Sequence, residues 1–380
     1  MSPTSLVVHA HFYQPPRENP WTEEVPREPS AGPFHDWNTR ISAESYRPNA
    51  FARIFDADGR VLAIVNNYEE LSFNVGPTLM SWLERYQPDV YQRVQAAEAG
   101  GGAIAQAWNH MILPLADERD VRTQIRWGLA DFRRRFGREA ARGDGGCPPD
   151  RGGRSGQIGM WLPETAVNPF VLSVLAEEGV AFTILAPSQV AAIRPLTGRA
   201  SRGLAAMPNR AWTPVDGDHP VDTRVAYRYV HPRHKHLGVD LIVYHGGLSH
   251  ALAFEAVSSE TLVDRASHAA GRRGGLVAIA LDGETFGHHH KWADRALAYA
   301  LTAEAPRRGL EVTNLASWLE RNPPLYQAKV HESAWSCAHG VGRWSTDCGC
   351  STGGPEGADQ RWRAPLRAAL DGLRETGARV

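Results

Sequence analysis

Seven short β-rich runs alternate along the chain with stretches that are long enough to form helices. Strands linked through intervening helices pair in parallel, and the helices then cover the faces of the sheet. This order predicts an α/β fold, either a βα barrel or a doubly wound sheet. The runs lie at residues 5–11, 60–66, 103–108, 157–162, 181–185, 240–244 and 276–281.

Polar or aromatic residues follow nearly all of these runs. A barrel carries its chemistry on loops after many different strands, whereas a doubly wound sheet concentrates it at one switch point. The spread of polar strand ends therefore favours the barrel. These ends are His9-Ala10-His11, Asn66-Asn67-Tyr68, Trp108-Asn109-His110, Glu164, His245 and Asp282.

The composition is that of an ordinary water-soluble protein. Hydrophobic residues make up 42% of the 380 positions, charged residues 22%, and the formal net charge is -1. A chain with so little net charge has no overall field that would attract nucleic acid or an anionic membrane. The N-terminus has no signal-peptide pattern and no window approaches the length of a membrane span, so we expect a cytoplasmic protein.

The length exceeds what a single core normally supports, which predicts a large catalytic unit and an appendage. The composition changes after Pro323-Pro324, so we expect a catalytic domain at 1–322 and a partly helical, Cys- and Gly-containing segment at 323–380. Within this segment, residues 360–375 have the pattern of an amphipathic helix. Gly, Arg and Pro at 138–156, and a long polar stretch at 195–237, predict two loop insertions.

Two carboxylic acids stand where apolar runs end, Glu164 and Asp282. Each has an ordinary explanation, because Asp-Gly is a common turn and Glu164 precedes a helix start at Asn168-Pro169. Breaking a glycosidic bond, however, requires two carboxyl groups of different proton affinity that face the same bond. Taken together, the two acids predict a glycosidase pair.

Four segments resemble, in order and approximate spacing, the signature regions of glycoside hydrolase family 57. The resemblance covers about residues 5–320 and implies an incomplete seven-stranded βα barrel followed by a helical segment. It also implies retaining chemistry on α-linked glucans without a metal, with Glu164 as the nucleophile and Asp282 as the general acid/base. The four segments are HFYQPP at 11–16, WNHMILPL at 108–115, WLPE at 161–164 and DGETFG at 282–287.

Two further segments resemble a branch of this family whose members continue into an additional C-terminal domain. They are NNYEELSFNVGP at 66–77 and SCAHGVGRW at 336–344. From this resemblance we expect that domain to be shortened in the present chain. We also expect the site to lack part of the aromatic wall that the helical region supplies in the family.

Polar and aromatic side chains near the two acids are the predicted contacts of an α-glucan or maltooligosaccharide. Histidines bind hydroxyl groups, and sugar rings stack on indoles, although a tryptophan is more often a core residue. Glu284 is expected to support Asp282 rather than react, and no cofactor is expected. The predicted contacts are His9, His11, Gln14, His110, Glu284 and His288, with Trp21, Trp108, Trp161 and Trp292 as sugar platforms.

Two other functions compete with this prediction. A His-x-His pair with an aspartate also suits a metal-dependent polysaccharide deacetylase or a zinc α-mannosidase. A carbohydrate-binding relic without activity is the third possibility.

The cysteines near the C-terminus offer a separate choice. Cys337, His339, Cys348 and Cys350 have the side chains of a structural zinc site, but Cys-x-Cys lacks the two-residue spacing of ordinary zinc knuckles. The sequence alone therefore favours thiols that pack within a Gly-rich loop.

Overall fold

The computed structural model describes residues 4–138, 157–196, 211–271, 274–350 and 359–379. A mixed α/β architecture is present, as the sequence predicts. In this part of the chain the strands are β1 Thr4–Phe12, β2 Ala52–Phe55, β3 Val61–Val65, β4 Ser72–Val75, β5 Ala105–Gln106, β6 Met160–Trp161, β7 Phe182–Leu185, β8 Val190–Pro195, β9 Thr213–Pro214, β10 Ala226–Val230, β11 Gly238–Val243, β12 Gly275–Asp282, β13 Leu310–Val312 and β14 Tyr326–Val330.

Parallel pairing links the strands that carry the predicted site. β1 lies between β12 and β4, β5 pairs with β6, and β7 pairs with β11. Single parallel bridges, Phe73 to Ala103 and Gly159 to Phe182, connect these groups. Between β11 and β12 the described residues form no ladder, and the His245 N–H donates to the Ala278 carbonyl at 2.7 Å. The sheet is thus open at this point.

The second predicted strand, residues 60–66, does not join the parallel sheet. This run is β3, which forms an antiparallel pair with β2. Its apolar side chains Val61, Leu62 and Ile64 are exposed. The strand that pairs with residues 9–12 of β1 is β4, which is buried along its whole length. The prediction was wrong because β3 has the apolar residues of a core strand, while β4 is short and half polar.

Helices cover the sheet and begin at the expected signals. Asn168 caps its helix by accepting a hydrogen bond from the Val171 N–H at 2.9 Å, with Pro169 in the first turn. None of the helices in the described ranges is long and apolar enough to cross a bilayer. They are α1 Trp37–Ile41, α2 Arg47–Ala50, α3 Asn67–Glu70, α4 Pro77–Tyr86, α5 Pro88–Ala97, α6 Glu118–Phe136, α7 Pro169–Glu177, α8 Gly246–Phe254, α9 Ser259–Ala270, α10 Ala293–Tyr299, α11 Ala305–Arg307, α12 Leu315–Arg321 and α13 Arg363–Gly377.

The segment after Pro323-Pro324 is joined to the rest of the fold. β14 pairs with β10 and β8 in a six-stranded sheet that also contains β7, β11 and β9. The predicted amphipathic helix is confirmed as α13. The proposed domain boundary at residue 322 stays a prediction, and hydrogen-bonded strands lie on both sides of it. Of the two predicted insertions, residues 139–156, with Cys147, and 197–210 lie outside the described residues.

Candidate active site

Glu164 and Asp282 line one open groove. Its volume is about 600 Å³, which is within the range of pockets that bind small molecules such as short sugar chains. The strands that carry the two acids, β6 and β12, run parallel to β5 and β1, so that their carboxyl ends meet at one edge of the sheet. The other groove residues include Tyr244, Phe254, His289, Trp335, Ser336, Arg343 and Trp344.

The backbone at Glu164 is strained. Glu164 and Thr165 have φ values of 58° and 49°, a left-handed conformation that non-glycine residues rarely adopt and that is least favourable for β-branched threonine. Such residues cost on the order of 1–3 kcal/mol each and persist where the surroundings hold them. The Trp335 N–H supplies part of this restraint, donating to the Glu164 carbonyl at 3.1 Å and to Thr165 Oγ1 at 3.1 Å.

The Glu164 carboxylate is held by two donors from the C-terminal segment. Trp335 Nε1 donates to Glu164 Oε2 at 3.0 Å, and Ser336 Oγ donates to the same oxygen at 2.5 Å. Arg343 in turn donates from Nη1 to the Ser336 carbonyl at 3.0 Å. These contacts fix the orientation of the carboxylate, and the two hydrogen bonds stabilise its negative charge. Sequence reasoning missed Trp335 and Ser336 because neither follows a strand end of the parallel sheet.

Asp282 occupies a different electrostatic environment. It is the last residue of β12, opposite His11 of β1, and its side chain is exposed to the groove. The surrounding protein removes much of the bulk water, and this desolvation, followed by the negative charge of Glu164, raises the pKa of Asp282 to about 6. An acid with such a pKa holds its proton in mildly acidic solution and releases it near neutrality.

Residues 154–326 match the model of the family described as glycosyl hydrolase family 57. The match includes both groove acids and two of the four segments that resemble this family. This stretch, a little under half of the chain, is similar to glycoside hydrolase family 57. No curated protein matches the sequence.

Several solved structures share the fold of this chain. An exo-type maltose-forming amylase from Pyrococcus sp. ST04 superposes with a TM-score of 0.64 at 13% identity, covering 96% of this chain and 60% of the amylase. For a 4-α-glucanotransferase from Thermococcus litoralis the TM-score is 0.59 at 15% identity, with 88% and 43% covered. A branching enzyme from Thermococcus kodakaraensis gives 0.54 at 14% identity, with 90% and 75% covered. The chain thus spans less than two thirds of the first two proteins.

His9 and His11 are buried residues of β1, and His11 lies opposite Asp282 in the sheet. His9 is 1% exposed, and its ring nitrogens contact Ser72 Oγ at 3.0 Å and Asn74 Oδ1 at 3.1 Å. Burial lowers the pKa of His9 to about 3 and that of His11 well below its usual value. Both rings stack on Trp161 at 5.0 Å between centroids. Both histidines are therefore neutral, and neither is among the residues that line the groove.

Among the predicted histidines, His110 is the one whose pKa is affected by the charge of Glu164. Its Nε2 lies 3.0 Å from His11 Nε2, and its ring stacks on Tyr13 with the centroids 4.0 Å apart. Burial lowers the pKa of His110 to about 4, while the charge of Glu164 opposes this shift. His110 also has a left-handed backbone, with φ at 52°.

Glu284 lies behind Asp282 in a buried network. Its Oε1 accepts hydrogen bonds from Tyr46 Oη at 2.6 Å and from the Tyr13 N–H at 3.2 Å. Gln14 Nε2 donates to the same Tyr46 oxygen at 3.0 Å. Gly283 permits this arrangement, because a Cβ there would stand 2.2 Å from the Phe12 ring. Gln14 and Glu284 thus belong to one buried network and do not line the groove.

Replacing Glu284 with glutamine should flatten the pH dependence of stability. Burial, followed by the charge of Asp282, raises the pKa of Glu284 from 4.5 to about 8. The unfolded chain loses this proton near pH 4.5 and the folded chain only near pH 8, so the wild type loses stability as the pH rises between these values. Glu284→Gln carries no such proton. Thermal unfolding at several pH values should show a smaller decline in Tm for the variant, whereas parallel declines would contradict the assignment.

The predicted sugar platforms do not line the groove. Trp161 is fully buried, whereas Trp21 is 90% exposed at the surface. Trp108 is partly buried and meets Trp127 edge-on. Trp292 is 55% exposed and borders a separate depression with Arg295. The aromatic walls of the groove are instead Tyr244, Phe254, Trp335 and Trp344.

His288 is not among the residues that line the groove. Its Nδ1 contacts Glu44 Oε2 at 2.5 Å, and the neighbouring His289 lines the groove in its place. The run of three histidines hid this distinction, because the sequence does not tell which side chain of a tight turn points toward the acid.

Proposed function

We propose that this chain is a retaining glycosidase or transglycosidase that acts on α-linked glucans. The observation that carries the proposal is the presence of two carboxyl groups with unlike surroundings, Glu164 and Asp282, in one groove. The names of the similar structures, an amylase, a glucanotransferase and a branching enzyme, agree with this substrate class. We further propose that the seven parallel strands β1, β4, β5, β6, β7, β11 and β12 are those of the family's incomplete barrel.

In the first step, the Glu164 carboxylate attacks the anomeric carbon while Asp282 donates its proton to the departing glycosidic oxygen. The bond between the sugars breaks, and a covalent glycosyl ester forms on Glu164. The hydrogen bonds from Trp335 and Ser336 hold the nucleophile in position for this attack. The pKa of about 6 keeps a useful fraction of Asp282 protonated before the step.

In the second step, Asp282 acts as the base. Esterification removes the negative charge of Glu164, which is one of the two causes of the raised Asp282 pKa. Asp282 therefore becomes a stronger acid after the first step and remains as a carboxylate. It then takes a proton from water or from a sugar hydroxyl, which attacks the ester and releases a product with the original anomeric configuration.

The metal-dependent alternative receives no support from the histidines that suggested it. His9 and His11 are buried, and their nitrogens contact Ser72, Asn74 and His110. Within the described ranges, the group of side chains close enough to hold a metal lies in the C-terminal segment instead.

Incubation with maltoheptaose tests the proposed function. Chromatography should reveal both shorter and longer maltooligosaccharides for a transferase, or shorter sugars alone for a hydrolase. Proton NMR of the earliest products should show the α-anomer in either case, because two inversions restore the configuration. Maltoheptaose that stays intact, or products that appear first as the β-anomer, would refute the proposal.

A further inference from the structure

Four metal-ligating side chains converge in the C-terminal segment, away from the two acids. The ligand atoms of Cys337, His339, Cys348 and Cys350 all lie within 4.8 Å of one another. Cys337 Sγ is 4.0 Å from Cys348 Sγ, and Cys350 Sγ is 3.4 Å from His339 Nδ1. The loop thus places three sulfur atoms and one nitrogen atom close together.

The two contact distances, 4.0 Å between sulfurs and 3.4 Å between sulfur and nitrogen, are close to the edges of a zinc tetrahedron. With Zn–S bonds near 2.3 Å and Zn–N bonds near 2.0–2.1 Å, tetrahedral geometry places two sulfurs about 3.8 Å apart and a sulfur and a nitrogen about 3.5 Å apart. A disulfide would instead require sulfurs at about 2.05 Å. Three thiols and one imidazole are the soft, four-coordinate donor set that zinc favours over magnesium or calcium.

We propose that Cys337, His339, Cys348 and Cys350 bind one structural Zn²⁺ ion. The spacing is Cys-x-His followed by Cys-x-Cys, with each contacting pair eleven positions apart. Tight turns make this short spacing possible, because Gly340 and Gly349 have left-handed φ values of 74° and 80°. This spacing differs from that of ordinary zinc knuckles, and the sequence alone therefore did not favour a metal.

A cation from α13 completes the surroundings of the proposed site. Three thiolates around one Zn²⁺ carry a net charge of -1, which a nearby guanidinium stabilises. Arg363, the first residue of α13, points Nη1 toward Cys348 Sγ at 3.9 Å and donates from Nη2 to the Cys350 carbonyl at 3.0 Å. The ion would thus hold both the loop and the first turn of α13 in place.

The zinc loop adjoins the residues that hold Glu164. Cys337 directly follows Trp335 and Ser336, the two donors to the Glu164 carboxylate. Arg343, which donates to the Ser336 carbonyl, lies between the two ligand pairs. Binding of the ion restricts this loop and so restricts the two donors. The metal would hold Trp335 and Ser336 in place beside Glu164, and it would not take part in the proposed reaction.

The metal content of the intact chain tests this site, whether or not the protein acts on glucans. Chain purified under reducing conditions with zinc present, then desalted, should retain about one zinc per molecule by mass spectrometry. The Cys348→Ser and Cys350→Ser variants should retain much less zinc. His339→Cys should instead create a four-thiolate site that still binds the metal. Cys147→Ser is the matched control and should bind zinc as the wild type does.

Cobalt gives a reading on the wild-type chain that does not depend on how the variants fold. Co²⁺ in place of zinc should show thiolate charge-transfer absorption and the strong visible bands of a tetrahedral complex. Removing the metal should increase hydrogen exchange at residues 333–350 and leave β1 and β12 protected. A zinc-loaded wild type that retains less than about a tenth of an equivalent, or a cobalt spectrum without thiolate bands, would overturn the proposal.

Discussion

Glu164→Gln should lower kcat/KM for maltooligosaccharides by about 10⁴-fold or more while the fold stays intact. The amide is nearly the same size as the carboxylate, and its oxygen still accepts hydrogen bonds from Trp335 and Ser336. It does not, however, form the glycosyl ester, so the proposed pathway stops before the first bond is broken. Initial rates and thermal unfolding, measured on the same preparations, separate this loss from unfolding.

A second substitution at the same position tests the role more directly. Glu164→Ala opens space on one face of the sugar, and added azide should then attack the anomeric carbon and give a β-glycosyl azide. Glu118→Gln is a suitable control, because Glu118 is an exposed partner of Arg122 on α6 and its change should leave the rate within about twofold. Activity of Glu164→Gln within tenfold of the wild type would exclude Glu164 as the nucleophile.

Asp282→Asn should produce a loss that depends on the leaving group. A sugar alcohol needs a proton to depart, so cleavage of maltooligosaccharides should fall by about 10³-fold or more. A 4-nitrophenolate departs without a proton, so the first step with a 4-nitrophenyl α-maltoside should be much less affected. The slow second step should then allow the glycosyl-enzyme to accumulate, which mass spectrometry of the intact chain detects.

The pH profile gives a second signature of Asp282. This residue must be protonated at the start, and its pKa of about 6 means that kcat/KM of the wild type should fall roughly tenfold per unit above that pH. Asp282→Asn should lack this alkaline decline. Asp89→Asn, a change at an exposed partner of Arg47, should keep it. Equal losses for both leaving groups, or an unchanged alkaline decline in Asp282→Asn, would contradict the acid/base role.

The placement of Glu164 and Asp282 in one groove was predictable from sequence, because the signal for each residue is local. Glu164 and Asp282 directly follow apolar β-rich runs, and the carboxyl ends of parallel strands gather at one edge of a sheet. The helix start at Asn168 was predictable for the same reason, since its capping residue and proline are adjacent in the chain.

The partners of Glu164 were not predictable, because they depend on contacts between distant parts of the chain. Trp335 and Ser336 are 171 and 172 positions away from Glu164. The positions of the tryptophans were not predictable for another reason. Residue type does not distinguish an indole buried under two histidines, such as Trp161, from one at the surface, such as Trp21.

The strand prediction also shows where local pattern misleads. Residues 61–65 are apolar and β-branched, yet β3 leaves them exposed beside β2. The buried strand β4 contains Ser72 and Asn74, whose polar side chains contact His9. A core strand that supplies hydrogen-bond partners to buried histidines contains polar residues. A search for hydrophobic runs therefore does not find such a strand.

The contacts of Trp335 and Ser336 with Glu164 bear on how protein fragments are chosen for expression. The family match ends at residue 326, before these two donors. A fragment cut at that position would retain both groove acids and would pass any search for the signature segments. It would nevertheless present Glu164 without its anchoring side chains, so a lack of activity in the fragment would say nothing about the longer chain.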